Sequence, residues 1–240
     1  MGWFSAKYCS ICSDKIGMLG NRKLDDGNLC KNCATRLSPW MSDRRSQSVA
    51  DIVAHFADRD ANVQRVSQMR VTRTIGVRTK VHLDENARRF VVSSDPRWRE
   101  NNADVFDFAS VVGCDREVEE VRDEIRYEGT DGFQKSYDPP RYDIDYEFYV
   151  TIHLDDRWIK SIRFRVNERV EEQGSVAYLE AQRQSQEIVD ALLQVQQGVR
   201  DAAAAAAAPR ASVTCSSCGA TTLVDAARRC EYCGSALQPG

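Results

Sequence analysis

Four CxxC pairs, two near each end, constrain this chain more than anything else in it. Cys9/Cys12 and Cys30/Cys33 stand 17 residues apart, and Cys215/Cys218 and Cys230/Cys233 stand 11 apart. They use eight of the nine cysteines and leave Cys114 alone. Zn²⁺ takes a closed tetrahedral shell of thiolates at about 2.3 Å, and two CxxC turns brought together supply one. The sequence therefore predicts two structural zinc ions. One is held by Cys9, Cys12, Cys30 and Cys33, the other by Cys215, Cys218, Cys230 and Cys233. Iron is the alternative occupant, since a tetrathiolate shell also accepts it. Disulfides would require an oxidising compartment. The stretch from Met1 to Lys7 has no apolar core of a signal peptide, which points to a cytoplasmic protein.

Length and charge bound the rest. The chain has 240 residues, and its terminal cysteine segments are too short to bury a core without a metal. Residues 1–46 carry eight basic and four acidic side chains, a net +4. Residues 47–208 carry 22 and 30, a net −8, and residues 209–240 carry three and two. This balance gives no chain-wide footprint for nucleic acid; only the first module leans basic. The run Ala202 to Ala208 is far shorter than a membrane span. Gly2 lacks the Ser or Thr that a myristoylation motif needs where Ala6 stands.

Periodicity divides the chain. Residues 1–46 read as a knuckle, a hairpin cornered at Asp26-Gly27, and a short helix from the second CxxC, a treble-clef finger with Leu37, Trp40 and Met41 over the metal. Residues 47–69 form a linking helix, with Val49, Ile52, Val53, Phe56, Val63 and Val66 on one stripe and Asp58, Arg59 and Asp60 on the polar side. His55 lies beside the stripe as a packing or surface residue. Residues 70–200 hold antiparallel strands and a final helix. Strands are expected over Val71 to Val81, Arg89 to Val92, Phe106 to Val112 (ended by Cys114), Tyr142 to Leu154 and Trp158 to Val166. A loop is expected from Gly129 to Pro140. Cys114 reads as a small buried hydrophobe. Tyr178, Ala181, Ser185, Ile188, Leu192, Val195 and Val199 stripe the helix. Residues 201–210 are an Ala-rich segment, helix or linker, stopped by Pro209. Residues 211–240 form a zinc ribbon covered by Val213, Leu223, Val224, Tyr232 and Leu237.

Two charged groups invite function. Arg70, Arg73, Arg78, Lys80, Arg88, Arg89, Arg97 and Arg99 would suit a phosphate or lipid headgroup, against the plainer reading of a solvated sheet face. Asp143, Asp145 and Glu147 look like a metal or acid–base cluster. Parity offers another account. Both apolar sets of the last hairpin fall on even numbers, so opposed residues must sum to an even number. A sum of 312 sets Glu147 against Arg165 and Tyr149 against Arg163, an exposed ladder.

The segment "YCSICSDKIGMLGNRKLDDGNLCKNCATRLSPW" resembles an uncharacterised bacterial zinc-finger family, the domain of unknown function numbered 4428. "DRRSQSVADIVAHF", "TRTIGVRTKVHLDENARRFVV" and "YDPPRYDIDYEFYVTIHL" extend the likeness over most of residues 7–195. Cys9, Cys12, Cys30 and Cys33 fall on that family's metal ligands, while Ser13 replaces a usual knuckle glycine. The final ribbon resembles generic ribbons appended to bacterial proteins. The middle is similar in element order to pleckstrin-homology-like (PH-like) folds.

The expected fold class is α+β: treble-clef finger, PH-like antiparallel sheet with C-terminal helix, zinc ribbon. The expected function is a non-enzymatic zinc-binding adaptor with a protein partner and no catalytic residues. A lipid headgroup is a second candidate ligand. Nucleic-acid binding through the fingers is the alternative function.

Overall fold

The computed structural model describes residues 6–170, 172–207, 212–223 and 228–237. Expectations for Gly2, Ala208, Pro209 and Val224 lie outside them. The fold has antiparallel sheets, helices and a four-cysteine cluster toward each end. It divides into two units, residues 1–196 and 197–240.

Unit one opens with two short hairpins, β1 (Lys7–Tyr8) with β2 (Lys15–Ile16) and β3 (Arg22–Lys23) with β4 (Asn28–Leu29), followed by α1 (Lys31–Ala34). The hairpins are zipped together: Ser10 N–H donates to the Asn28 carbonyl at 2.7 Å and Asn28 N–H to Ser10 Oγ at 3.1 Å. Gly27 permits this approach, since a Cβ there would fall 2.6 Å from both Ser10 Oγ and Val49 Cγ2.

Helix α2 (Val49–Gln68) starts at a full capping box: Ser48 and Asp51 exchange side-chain and backbone hydrogen bonds. Asp26 also accepts from Val49 N–H at 2.7 Å, anchoring the start of α2 to the second hairpin. The helix does not simply link. Ile52 and Phe56 join the finger's core with Cys9, Leu24, Leu29, Cys30 and Cys33. An adjoining stripe, His55, Arg59, Asn62 and Val66, meets the sheet region. The single-stripe expectation fails accordingly: Val53 and Val63 are exposed, whereas His55 is buried and Arg59 is nearly so.

Next come β5 (Arg73–Ile75), β6 (Lys80–Asp84), β7 (Arg89–Ser93) and β8 (Val105–Asp107), a four-stranded antiparallel meander. The single strand expected over Val71 to Val81 is therefore broken. Gly76 turns it at φ +101, where a Cβ would sit 2.3 Å from the Thr79 carbonyl oxygen. The strand expected over Phe106 to Val112 is also broken, by a 3-10 turn at Phe108–Ser110.

A second meander follows: β9 (Val111–Glu128), β10 (Gln134–Leu154) and β11 (Ser161–Arg165), with β10 central. Cys114 does not end a strand; it lies within β9 opposite Ile152, buried as a small hydrophobe. The expected loop from Gly129 to Pro140 shrinks to 129–133, because the extra residues before Arg141 are absorbed in a register shift between Ser136 and Arg141. The last hairpin keeps even parity but sums to 314: Tyr149 faces Arg165 and Thr151 faces Arg163. The difference of two is the loop. Asp156 Oδ1 accepts from the amides of Trp158 and Ile159, and the turn runs through 155–159 with both Trp158 and Ile159 buried. Trp158 is thus a core residue before β11, not its first residue.

Helix α3 (Val176–Ala207) begins where Ser175 Oγ accepts from Tyr178 N–H at 3.1 Å. Ala181, Ser185, Ile188 and Leu192 are buried, as the stripe predicts. Tyr178 sets its ring edge-on against Tyr146 and Phe148. The described part of the Ala-rich segment is helical through Ala207. Unit two continues with β12 (Ser212–Thr214) and β13 (Thr221–Leu223) and a small core of Cys215, Cys230 and Leu237. Leu223 and Tyr232, expected to cover the ribbon, are exposed, because this unit is too small to bury them.

Candidate metal centres

Three of the four CxxC turns share one backbone plan. Cys9 N–H donates to the Asp14 carbonyl at 2.9 Å and Ser13 N–H to the Cys9 carbonyl at 2.9 Å. Cys215 repeats this with Ala220 and Gly219, and Cys230 with Ser235 and Gly234. The chain must pass through positive φ after the second cysteine of each: Ser13 at 62°, Gly219 at 73°, Gly234 at 71°. The fourth turn is different. Cys30 caps α1, with Cys33 N–H donating to Cys30 Sγ at 3.3 Å.

Ser13 therefore occupies a conformation that its two counterparts fill with glycine. Ser13→Gly is expected to raise unfolding stability by about 1 kcal/mol, the usual cost of a left-handed L-residue. Urea denaturation of the metal-loaded chain checks this.

In each set the four sulfurs lie within 4.8 Å of one another. Cys12–Cys30, Cys215–Cys233 and Cys218–Cys230 are each 3.7 Å apart, and all nine cysteines are free. A tetrahedron with metal–sulfur bonds of about 2.3 Å has edges of about 3.8 Å, whereas a disulfide is about 2.05 Å. The donor sets fit a tetrahedral ion such as Zn²⁺, and they do not fit disulfides.

Electrostatics prepares both cages for a cation. Burial works against a Cys9 thiolate, but amide N–H groups of Cys12, Cys30 and Ile11 outweigh it and bring its pKa down to about 6. Cys33 is pushed up by burial and by the neighbouring sulfurs. At the far end, the Ser235 hydroxyl and amide bring Cys233 down to about 6. The Ala220 amide favours a Cys218 thiolate, yet hydrogen bonding with Cys233, burial and the other sulfurs raise it to about 12. Four crowded anions need a positive ion at their centre.

Residues 7–55 match the family model described as Domain of unknown function (DUF4428). That description names no activity. The DUF4428 segment contains the whole first cage and runs into α2 as far as His55, so it includes Ile52, which packs on the finger core. No curated protein and no solved structure matches the chain.

Leu37 and Met41 pack against the DUF4428 finger's core, as predicted. Trp40 does not; it is half-buried and lines a separate cavity of about 300 Å³ with Thr79, Trp98 and Asp104. The reason is Ser38. Its amide donates to His55 Nε2 at 3.1 Å and its hydroxyl to Asp104 Oδ2 at 2.8 Å, which turns the chain toward the sheet. Burial lowers the pKa of His55, and the neutral ring accepts at Nε2.

Among the described residues, the two cysteine sets are the groups of metal-ligating side chains close enough to share an ion; Asp143, Asp145 and Glu147 are not one. Arginines hold Asp145 and Glu147 instead. Arg165 pairs with Glu147, and Arg169 reaches Glu147 at 3.3 Å, Asp145 at 3.3 Å and Asp123 at 3.0 Å. The expected exposed ladder is corrected here: Glu147 is buried, Arg165 stands opposite Tyr149 and reaches Glu147 diagonally, and the reading missed Arg169, which follows β11 and has no strand periodicity to mark it. Half of the basic stretch is engaged as well, Arg78 lying 3.9 Å from Glu168. Arg73 bonds Glu187 at 2.8 Å, Arg89 lies 3.4 Å from Asp107, and Arg99 donates to the Val66 and Met69 carbonyls.

Glu147, buried, also accepts from Tyr149 OH at 2.7 Å. That bond, with Arg165 and Arg169, outweighs burial and holds its pKa below the usual value. Its stabilisation is therefore present above the unfolded pKa of about 4.3 and is lost as pH falls through the lower folded value. Glu147→Gln is expected to cost about 1–3 kcal/mol at neutral pH, with the gap from the parent closing as pH falls below that of the free carboxylate. Urea midpoints across the acid range test it.

Proposed function

We propose that the chain is a non-enzymatic cytoplasmic adaptor, built from a treble-clef zinc module, a PH-like recognition body and a zinc ribbon. The observation that carries this reading is that each cage brings together four sulfurs within 4.8 Å of one another, the full number of ligands of a closed tetrahedral shell. The metal is structural Zn²⁺, one ion per cage. Knuckle, hairpin and a helix capped by Cys30 support the treble clef. A four-stranded meander, a three-stranded meander and one long helix support the PH-like body. No membrane-crossing helix occurs among the described residues.

The recognition surface is the groove between the β5–β6 turn, the segment after β11 and the start of α3. It encloses about 470 Å³ and is lined by Val77, Val166, Val170, Ala177 and Ala181, with Arg78, Glu168 and Arg169 at its rim. An apolar side chain of a partner protein suits it. Two measurements test the reading. Elemental analysis of the freshly isolated, reduced chain is expected to find two zinc equivalents. Partner capture by the full chain is expected to be lost in Val77→Asp and Ala177→Arg while the fold is kept, since both residues are exposed. Capture of nucleic acid that weakens steeply with salt would favour the fingers as the binding surface. Binding to anionic vesicles would favour a lipid ligand.

A further inference from the structure

The β9–β10 hairpin outruns its own sheet. β11 pairs with β10 only from Tyr149 to His153, and one bridge joins Tyr146 to Val170. From Glu120 to Glu128, β9 has β10 on one side and, among the described residues, no strand on the other. Such an edge offers a row of unpaired N–H and C=O groups, and a bare two-stranded ribbon is marginal in water. Ile125 and Tyr127 are exposed on it. This length of β9 contains no proline or lysine to block pairing, and the register shift opposite Arg126 and Ile125 carries its extra residues on β10, away from the free edge.

Its charges select a partner. Glu120, Arg122, Glu124, Arg126 and Glu128 share one face and alternate in sign. Laid antiparallel on a copy of itself about Ile125, the strand sets Arg126 against Glu124 and Arg122 against Glu128, each twice by symmetry. Ile125 then meets Ile125, and Tyr127 faces Asp123. Moving the axis by one residue, to Glu124 or Arg126, sets Glu against Glu and Arg against Arg. Moving it to Asp123 opposes that aspartate to itself. In the single chain Arg122 and Arg126 reach glutamates on their own strand, exposed Glu120 at 2.5 Å and half-buried Glu124 at 2.8 Å.

We propose that two copies of this chain form a two-fold dimer in which the free edges of β9 pair antiparallel about Ile125. The two ribbons become one four-stranded sheet, β10-β9-β9-β10, with the same patch serving both copies. The dimer does not depend on what the groove at α3 binds.

Sedimentation equilibrium on the full metal-loaded chain, from micromolar to sub-millimolar concentration, is expected to show a dimer. Arg122→Glu with Arg126→Glu, and separately Glu124→Arg with Glu128→Arg, are each expected to lose it while circular dichroism stays unchanged. An equimolar mixture of the two variants is expected to regain it, since every reversed charge then meets its opposite. Ile125→Cys is expected to give a disulfide-linked dimer on mild oxidation, because residues self-opposed at the axis bring their Cα atoms within about 4.5–5.5 Å. A monomer at all concentrations overturns the proposal. So does a dimer that survives either charge reversal, or a mixture of folded variants that stays monomeric. If the charge variants fail to fold, absence of the Ile125→Cys cross-link overturns it alone.

Discussion

Stripping the first cage of its metal is expected to unfold far more than the finger. The cage sulfurs are themselves core: Cys9, Cys30 and Cys33 are packed with Leu24 and Leu29 and with Ile52 and Phe56 of α2. Metal binding to such a site contributes about 10–16 kcal/mol of apparent free energy, as much as a whole domain's stability of about 5–15 kcal/mol. Cys30→Ala, or a strong chelator under reducing conditions, is therefore expected to remove amide-exchange protection from Leu24 and Leu29 and from the first half of α2 together. Cys218→Ala with Cys233→Ala is expected to affect residues 212–237 and leave exchange at Ile52 and Phe56 unchanged. If chelation changes nothing and a reductant alone melts the finger, the sulfurs are bridged and the metal reading is wrong.

This coupling explains what could be read in advance. The grouping of the eight cysteines was legible because CxxC spacing is local chemistry: two residues between sulfurs suffice to aim both at one point, whatever surrounds them. Parity was legible for the same reason, since strand alternation is a property of the backbone. The second face of α2 was not. His55, Arg59 and Asn62 form a polar stripe, and a polar stripe looks like solvent until Ser38, Asp104 and Val105 arrive from elsewhere in the chain. The residues of β9 from Asp115 to Tyr127 show the same limit. Their alternating charges carry little apolar period, because the outer ribbon has no core to face, so neither strand nor edge was visible. Turn lengths failed where a side chain decided them: Asp156 holds two amides and shifts the last hairpin from 312 to 314.

Removing Asp104 is expected to cost more than any exposed charge in the chain. Its Oδ1 takes Arg59 at 2.7 Å and its Oδ2 takes the Ser38 hydroxyl at 2.8 Å, with the Arg59 and Asp104 side chains only 13% and 10% exposed. Breaking a buried ion pair by deleting one partner costs about 3–5 kcal/mol, because the survivor stays desolvated and unmatched. Asp104→Ala strands Arg59 and also frees Ser38, which positions the chain leaving the finger and, through its amide, the neutral ring of His55. Arg36–Asp60, whose members are exposed, gives the contrast; Arg36→Ala is expected to change stability by about 0–1 kcal/mol through that pair. Replacing both partners, Arg59→Met with Asp104→Leu, is expected to recover a large part of the loss, because no charge is then left buried. Urea unfolding of Asp104→Leu, Arg59→Met and the double variant, read as a double-mutant cycle, separates the pair from its surroundings. A single Asp104→Ala loss no larger than that of Arg36→Ala would mean that water reaches this site and that the finger and the sheet are not joined through it.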